Sequence, residues 1–131
     1  MGHTVFLSDC GRFVGCRVHE DVTIERARRF TEDTVAFGKA RRITLFLYDV
    51  RGARNIETVF HNYRFANEDM ARLNVNRAGS VAVVTDPDDH SHDFVETAVR
   101  NAGYDVRMFG DYDSAVCWLL TRQRPALGAQ Q

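Results

Sequence analysis

This sequence is poor in proline, has an odd number of cysteines and lacks any long apolar run. Two prolines among 131 residues do not give the composition of an extended disordered chain. Cys10, Cys16 and Cys117 form neither a CxxC pair nor the spacing of a zinc ribbon, so those metal sites are excluded. No apolar segment approaches membrane-spanning length, and the first residues lack the basic and apolar regions of a signal peptide. We therefore expect a cytoplasmic protein with no membrane insertion.

The common sequence signatures of catalysis and nucleotide binding are also missing. There is no Walker A loop, no GxGxxG after a strand, and no serine or cysteine in a recognisable nucleophile elbow. A formal net charge of −1 gives no general attraction to nucleic acid, and the arginines between positions 26 and 42 are typical of a solvated helix. These absences favour a non-catalytic protein with no cofactor and no nucleic-acid partner.

The length and composition predict one globular domain. A chain of 131 residues with 44% hydrophobic and 27% charged residues can bury a single core. We expect the domain to cover residues 1–124, and the segment after Pro125 to be a frayed C-terminal tail over residues 125–131.

The order of apolar patterns predicts strands joined by helices. The run at residues 43–48 is apolar at nearly every position, as in a central strand that is covered on both faces. Val59, Tyr63, Ala66, Met70 and Leu73 then repeat at steps of four, three, four and three, which predicts a helix whose N-cap is Asn55. The other predicted strands are residues 4–7, 13–18, 80–84 and 104–109, and the other helices begin near Thr23, Ser91 and Asp113. Ser91 and Asp113 are the candidate N-caps of the last two helices.

This pattern predicts an α/β fold with the element order β-β-α-β-α-β-α-β-α. The first two strands are joined by a short loop and should pair antiparallel, whereas strands joined by helices should be parallel. We therefore expect a mixed, mostly parallel central sheet of about five strands with helices packed on its faces.

Polar residues directly after the predicted central strand form the first candidate site. Asp49, Arg51, Arg54 and Asn55 follow the carboxyl end of that strand, where open α/β sheets usually bind their ligands. An arginine pair beside a helix N-terminus can bind an anionic group. The alternative is that Asp49 and Arg51 pair with each other or cap nearby backbone, with Gly52 supplying a turn.

The segment from Asp86 to Asp93 holds the densest group of possible metal ligands. Its four aspartates and two histidines could bind a divalent ion in a small metal-dependent enzyme. The spacing fits neither an EF-hand nor an HExxH helix, and Pro87 with aspartates is typical of a turn that enters a helix. We expect the turn and predict no metal site.

The whole pattern resembles a known superfamily. The element order, the strand and loop at residues 43–58 and the ending from Gly103 to Leu119 resemble the SpoIIAA-like branch of the STAS (sulfate transporter and anti-sigma factor antagonist) superfamily. In the antagonists of that family, a Ser or Thr at the N-terminus of the helix after the central strand is phosphorylated. The resemblance implies that Thr58 is the corresponding hydroxyl, although Glu57 stands where the family has an Asp-Ser pairing.

The functional prediction is a non-catalytic regulatory or interaction domain of this type. Its partner would be a protein or a small anionic ligand bound at the loop after the central strand. The alternatives are the metal-dependent enzyme and a hydrophobic-ligand carrier, the latter suggested by a distant likeness to Sec14-type domains. Phe60 and Phe65 lie off the main apolar stripe of their predicted helix and are candidates for a homodimer contact.

Overall fold

The computed structural model describes residues 2–122 and contains one five-stranded sheet. The strands lie in chain order, with β1 antiparallel to β2 and every other neighbouring pair parallel. The predicted mixed, mostly parallel sheet is therefore confirmed. The strands are β1 (His3–Leu7), β2 (Val14–Val18), β3 (Leu45–Asp49), β4 (Ser80–Val84) and β5 (Asp105–Phe109).

Strand β3 occupies the middle of the sheet, as its apolar composition predicts. Leu45 and Leu47 point to one face, and Phe46 and Tyr48 point to the other. Leu47 is fully buried and pairs with Ala82 of β4, so the sheet is closely packed at its centre. Because both faces are covered, alternation of polar and apolar residues is lost along this strand.

Helices cover the two faces unequally. The helices are α1 (Ile24–Arg41), α2 (Val59–Arg64), α3 (Met70–Arg72), α4 (Asp93–Asn101) and α5 (Tyr112–Arg122), and a π-helical turn (Phe65–Asp69) joins α2 to α3. Helices α1 to α4 lie on one face, which we call the four-helix face. Helix α5 alone covers β3, β4 and β5 on the opposite face, the α5 face.

The helix starts agree only partly with the sequence predictions. Thr23 is the N-cap of α1, and its hydroxyl accepts a hydrogen bond from the Arg26 N–H. The predicted cap Asp113 is wrong, because Asp111 Oδ1 accepts the bond from the Ser114 N–H at 2.8 Å. Ser91 is not the N-cap of α4 either, since the helix begins at Asp93 with no side-chain cap. Gly103 lies just past the end of α4 and has a φ of +100°. Glycine adopts this left-handed conformation without strain, so it is the usual residue at this position.

The predicted apolar stripe of the helix after β3 is interrupted. Ala66 and Met70 are buried as expected, but Val59 and Tyr63 are 62% and 56% exposed. Asn62 is buried in their place, at 6% exposure. Asn62 lies four residues before Ala66 and eight before Met70, so it shares their face of the helix. The prediction of one continuous stripe is therefore wrong for its first half.

No helix within residues 2–122 is long and apolar enough to cross a membrane. The predicted tail at 125–131, and the last two positions of the predicted domain, lie outside the residues that the structure describes.

Candidate functional site

The loop between β3 and α2, residues 50–58, leaves the carboxyl end of the central strand, and Asp49 is the last strand residue before it. Asp49 is 3% exposed and lies on the α5 face. Arg51 binds it through two parallel hydrogen bonds, Nε to Oδ1 at 2.9 Å and Nη2 to Oδ2 at 2.7 Å. Arg17, its register partner on β2, adds a bond from Nη1 to Oδ2 at 3.2 Å.

These contacts set the charge of Asp49. Burial raises the pKa of the carboxyl, but hydrogen bonds from Arg51 and the positive charges of Arg51 and Arg17 outweigh it and hold the pKa below its usual range. The carboxylate is therefore ionised and neutralised by two guanidinium groups. The Arg51 side chain is therefore paired with Asp49, which is the alternative to anion binding that the sequence analysis gave.

Arg54 and Asn55 belong to a second group of contacts, directed towards the segment before α4. Arg54 Nη1 lies 3.5 Å from Asp89 Oδ1, and the Arg54 side chain is 65% exposed. The Asn55 N–H donates to Ser91 Oγ at 2.9 Å, and Asn55 Nδ2 donates to Asn62 Oδ1 at 3.1 Å. The four predicted site residues thus divide between two hydrogen-bonded groups.

Thr58, rather than the predicted Asn55, is the N-cap of α2. Its Oγ1 accepts a hydrogen bond from the His61 N–H at 3.1 Å. The neighbouring Glu57 carboxylate accepts from the Ile24 N–H at 2.9 Å, the Thr58 N–H at 3.2 Å and His61 Nδ1 at 2.7 Å. These bonds, the one from Ile24 first, hold the pKa of Glu57 below its usual range. A phosphate on Thr58 would therefore lie beside an ionised carboxylate that already serves this helix start.

The segment at residues 86–93 forms the loop that supports the residues after β3. Asp86 Oδ2 accepts a hydrogen bond from the Gly52 N–H at 2.8 Å, and His92 Nε2 lies 2.8 Å from the Ala53 carbonyl oxygen. Within the part of the chain that the structure describes, no group of three or more His, Cys, Asp or Glu is arranged to hold a metal ion. The segment has the structural role of a turn entering a helix.

The structure contains a cavity of about 130 Å³ that the sequence did not predict. It lies on the four-helix face, between the sheet and helices α1, α2 and α4. Its sheet wall consists of Phe46, Tyr48, Val81, Val83, Val106 and Met108, and its helix wall includes Ala27, Phe30, Val35, Phe65, Met70, Val95 and Val99.

A few polar side chains reach the same cavity. Asn55, Asn62, His92 and Glu96 line it where α2 and the loop before it meet α4. Asn62 and His92 are 6% and 4% exposed, and Glu96 is paired with Arg100. A mostly apolar cavity with a few convergent polar groups is the usual form of a small-molecule binding site.

Only one of the predicted site residues, Asn55, lines this cavity. The apolar residues that alternate on β4 and β5 predict that one face of these strands is covered. A strand pattern does not give the distance between the sheet and the helices that cover it, so it cannot predict a cavity. The sequence did not identify Asn62 as a cavity residue, because it is polar and lies off the apolar stripe of the predicted helix.

Comparison with solved structures gives one related fold. The chain is similar to an uncharacterised protein of the DUF3478 family from Shewanella loihica PV-4, whose structure is described as having a SpoIIAA-like fold. The match has a TM-score of 0.50 at 16% identity and covers 89% of this chain and 91% of the other. No family model and no curated protein matches the sequence. The chain therefore has a SpoIIAA-like α/β fold, as its resemblance implied.

Proposed function

We propose that this chain is a binding domain that holds a small, mostly apolar molecule in the cavity of the four-helix face. This is the hydrophobic-ligand alternative of the sequence prediction. One observation carries it: a cavity of about 130 Å³ whose walls are almost entirely aliphatic and aromatic. An engineered apolar cavity of about 150 Å³ in another protein stays dry and binds benzene.

The polar end of the cavity restricts the class of ligand. Asn62 and His92 can each form hydrogen bonds with one polar group of a ligand, while the valines of β4 contact its apolar part. The ligand class is therefore a molecule about the size of one aromatic ring that carries a single hydroxyl, carbonyl or ring N–H. p-Cresol and indole are suitable probes of this class.

Calorimetry and thermal melting with p-cresol test the proposal. We expect saturable binding and a raised melting temperature, because a ligand at 100 times its Kd stabilises the folded state by about 2.7 kcal/mol. Val83→Phe places a ring in the cavity and should abolish binding, whereas Val116→Phe, the same change on α5 at the opposite face, should leave it intact. If toluene, p-cresol, indole and decanoate all leave the wild-type melting temperature unchanged, the proposal is wrong.

Binding of a protein partner or a small anion at the loop after β3 remains a second proposal. Its support is Arg54, whose side chain is 65% exposed and lies at the long distance of 3.5 Å from Asp89. Arg54→Ala should weaken such binding more than Arg51→Ala, because Arg51 is engaged by Asp49. A pull-down in which neither variant changes any recovered partner would remove this second function.

A further inference from the structure

The hydrogen bonds of Asn55, at the polar end of the cavity, have fixed directions. Asn55 Oδ1 accepts a hydrogen bond from the Glu57 backbone N–H at 2.9 Å. A backbone N–H can only donate, so this terminal atom is the oxygen and the other is the amide nitrogen. That nitrogen donates to Asn62 Oδ1 at 3.1 Å. The contact with Glu57 therefore also determines which terminal atom of Asn62 is its oxygen.

Asn62 is left with an amide nitrogen that has no protein partner. Its oxygen accepts from Asn55, so Nδ2 and its two N–H groups remain as donors. No acceptor among residues 2–122 bonds to this nitrogen, although the residue is 6% exposed and lines the cavity. Buried N–H groups are nearly always hydrogen-bonded, because an unpaired one loses its bonds to water without replacement. Asn62 therefore has an unused donor at the cavity.

His92 has the complementary group at the same end of the cavity. Its Nε2 donates to the Ala53 carbonyl oxygen at 2.8 Å, because a carbonyl can only accept. In the neutral ring, Nδ1 then keeps a lone pair. No donor of the described residues bonds to Nδ1, and the residue is 4% exposed and lines the cavity. His92 therefore has an unused acceptor.

The loop before α2 brings these two groups to one place. The Asn55 backbone N–H donates to Oγ of Ser91, the neighbour of His92 in the sequence, while the Asn55 side chain bonds to Asn62. The remaining polar side chain of the cavity, Glu96, is paired with Arg100. The polar end of the cavity thus combines one unused donor with one unused acceptor.

We propose that the ligand of this cavity carries a hydroxyl group, which accepts a hydrogen bond from Asn62 Nδ2 and donates one to His92 Nδ1. The inference rests on the proposed function and narrows its ligand class. A hydroxyl donates and accepts through one oxygen, whereas a carbonyl can only accept and a ring N–H can only donate. A site whose polar groups are left unpaired by the wrong ligand discriminates against that ligand. Asn62 and His92 therefore distinguish a small phenol or alcohol from a hydrocarbon of the same shape.

Calorimetry with p-cresol and p-fluorotoluene tests the inference. The two molecules have nearly the same size, but fluorine cannot donate a hydrogen bond. The ratio of their Kd values gives the preference for the hydroxyl, and comparing this ratio between proteins cancels the difference in ligand hydration. Measurement at about pH 8 favours the neutral imidazole ring.

Three variants are compared with the wild type. Asn62→Leu removes the donor, and His92→Gln keeps an amide that can donate to Ala53 but has no counterpart of Nδ1. We expect the preference for p-cresol to fall about fivefold in each, the effect of one hydrogen bond. Asn67→Leu, the same change at an exposed position outside the cavity, should keep the preference of the wild type.

The results separate the inference from the proposed function. If both ligands bind and the preference is the same in the wild type, Asn62→Leu and His92→Gln, the hydroxyl inference is wrong and the binding function stands. If neither ligand binds the wild type, the proposed function is removed.

NMR of the wild type gives a second readout that does not depend on how the variants fold. We expect saturating p-cresol to shift the side-chain amide protons of Asn62 and the Nδ1 resonance of His92, whereas p-fluorotoluene leaves both nearly unchanged. The side-chain amide of the exposed Asn67 is the control and should respond to neither ligand. Equal shifts with the two ligands, or no shift at Asn62 and His92 when p-cresol is bound, would contradict the inference.

Discussion

The buried carboxylate of Asp49 is kept ionised mainly by Arg51, and the Arg51→Ala variant tests how much this ion pair stabilises the fold. Asp49 is 3% exposed and receives two short hydrogen bonds from the Arg51 guanidinium and two longer ones, from Arg17 and from the Arg51 backbone N–H, both of which the variant keeps. Removing one partner of a fully buried ion pair costs about 3–5 kcal/mol. Arg51 is itself partly exposed and Arg17 remains in the variant, so we expect a loss of about 2 kcal/mol in the free energy of unfolding at pH 7.

The loss should also depend on pH with a defined sign. The pKa of Asp49 is lower in the folded state, so its contribution is present above the unfolded pKa of about 3.9 and is lost as pH falls through the folded value. Without Arg51, burial raises the pKa of Asp49, so the carboxyl is protonated at a higher pH. The deficit of Arg51→Ala relative to the wild type should therefore shrink as the pH is lowered from 7 toward 4.

Urea unfolding followed by circular dichroism measures both effects. Arg64→Ala is the matched control, because its ion pair with Glu68 joins two side chains that are each 48% exposed, and such pairs contribute at most about 1 kcal/mol. An Arg51→Ala deficit no larger than that of the control at pH 7 would refute the reasoning. A deficit that stays constant across the pH range would refute its electrostatic origin.

Three further predictions concern other parts of the fold. Asp69→Asn should lower the free energy of unfolding by about 2 kcal/mol in urea titrations, because this carboxylate is 3% exposed and paired with arginines of α1 and α3. Ellman's reagent should label the exposed Cys10 and Cys117 but not Cys16 at neutral pH, because burial raises the pKa of Cys16 to about 11; three thiols titrating in the folded protein would contradict this. Thr58→Ala should cost about 1 kcal/mol in thermal unfolding as a lost N-cap, and no loss would show that the cap is redundant.

The sheet was predictable because each strand carries its own signal. The apolar run at residues 43–48 identified the central strand, and the helices between later strands required parallel pairing. The same signals could not fix the ends of elements. Asn55, Ser91 and Asp113 are good N-cap residues by type, yet tertiary hydrogen bonds use the first two elsewhere and Asp111 caps α5.

The cavity and the exposed surface of α2 were not predictable in the same way. Val59 and Tyr63 fit an α-helical stripe with Ala66 and Met70, but Asn62 fits one equally well and is the residue that the structure buries. The sequence does show that apolar residues exceed what one stripe needs, since Phe60 and Phe65 lie outside it. Of these two, Phe65 is 8% exposed and lines the cavity, while Phe60 is 63% exposed.

The central claim is that the cavity of the four-helix face takes a small apolar ligand, and methyl NMR tests it most directly. In protein labelled at valine and leucine methyl groups, p-cresol should give saturable shifts and intermolecular NOEs at Val81, Val83 and Val106. Leu47 and Leu119, buried on the α5 face, should show neither. NOEs confined to the cavity valines are the result that we predict. Shifts spread equally over both faces, or no NOE from the cavity at saturating p-cresol, would contradict the account.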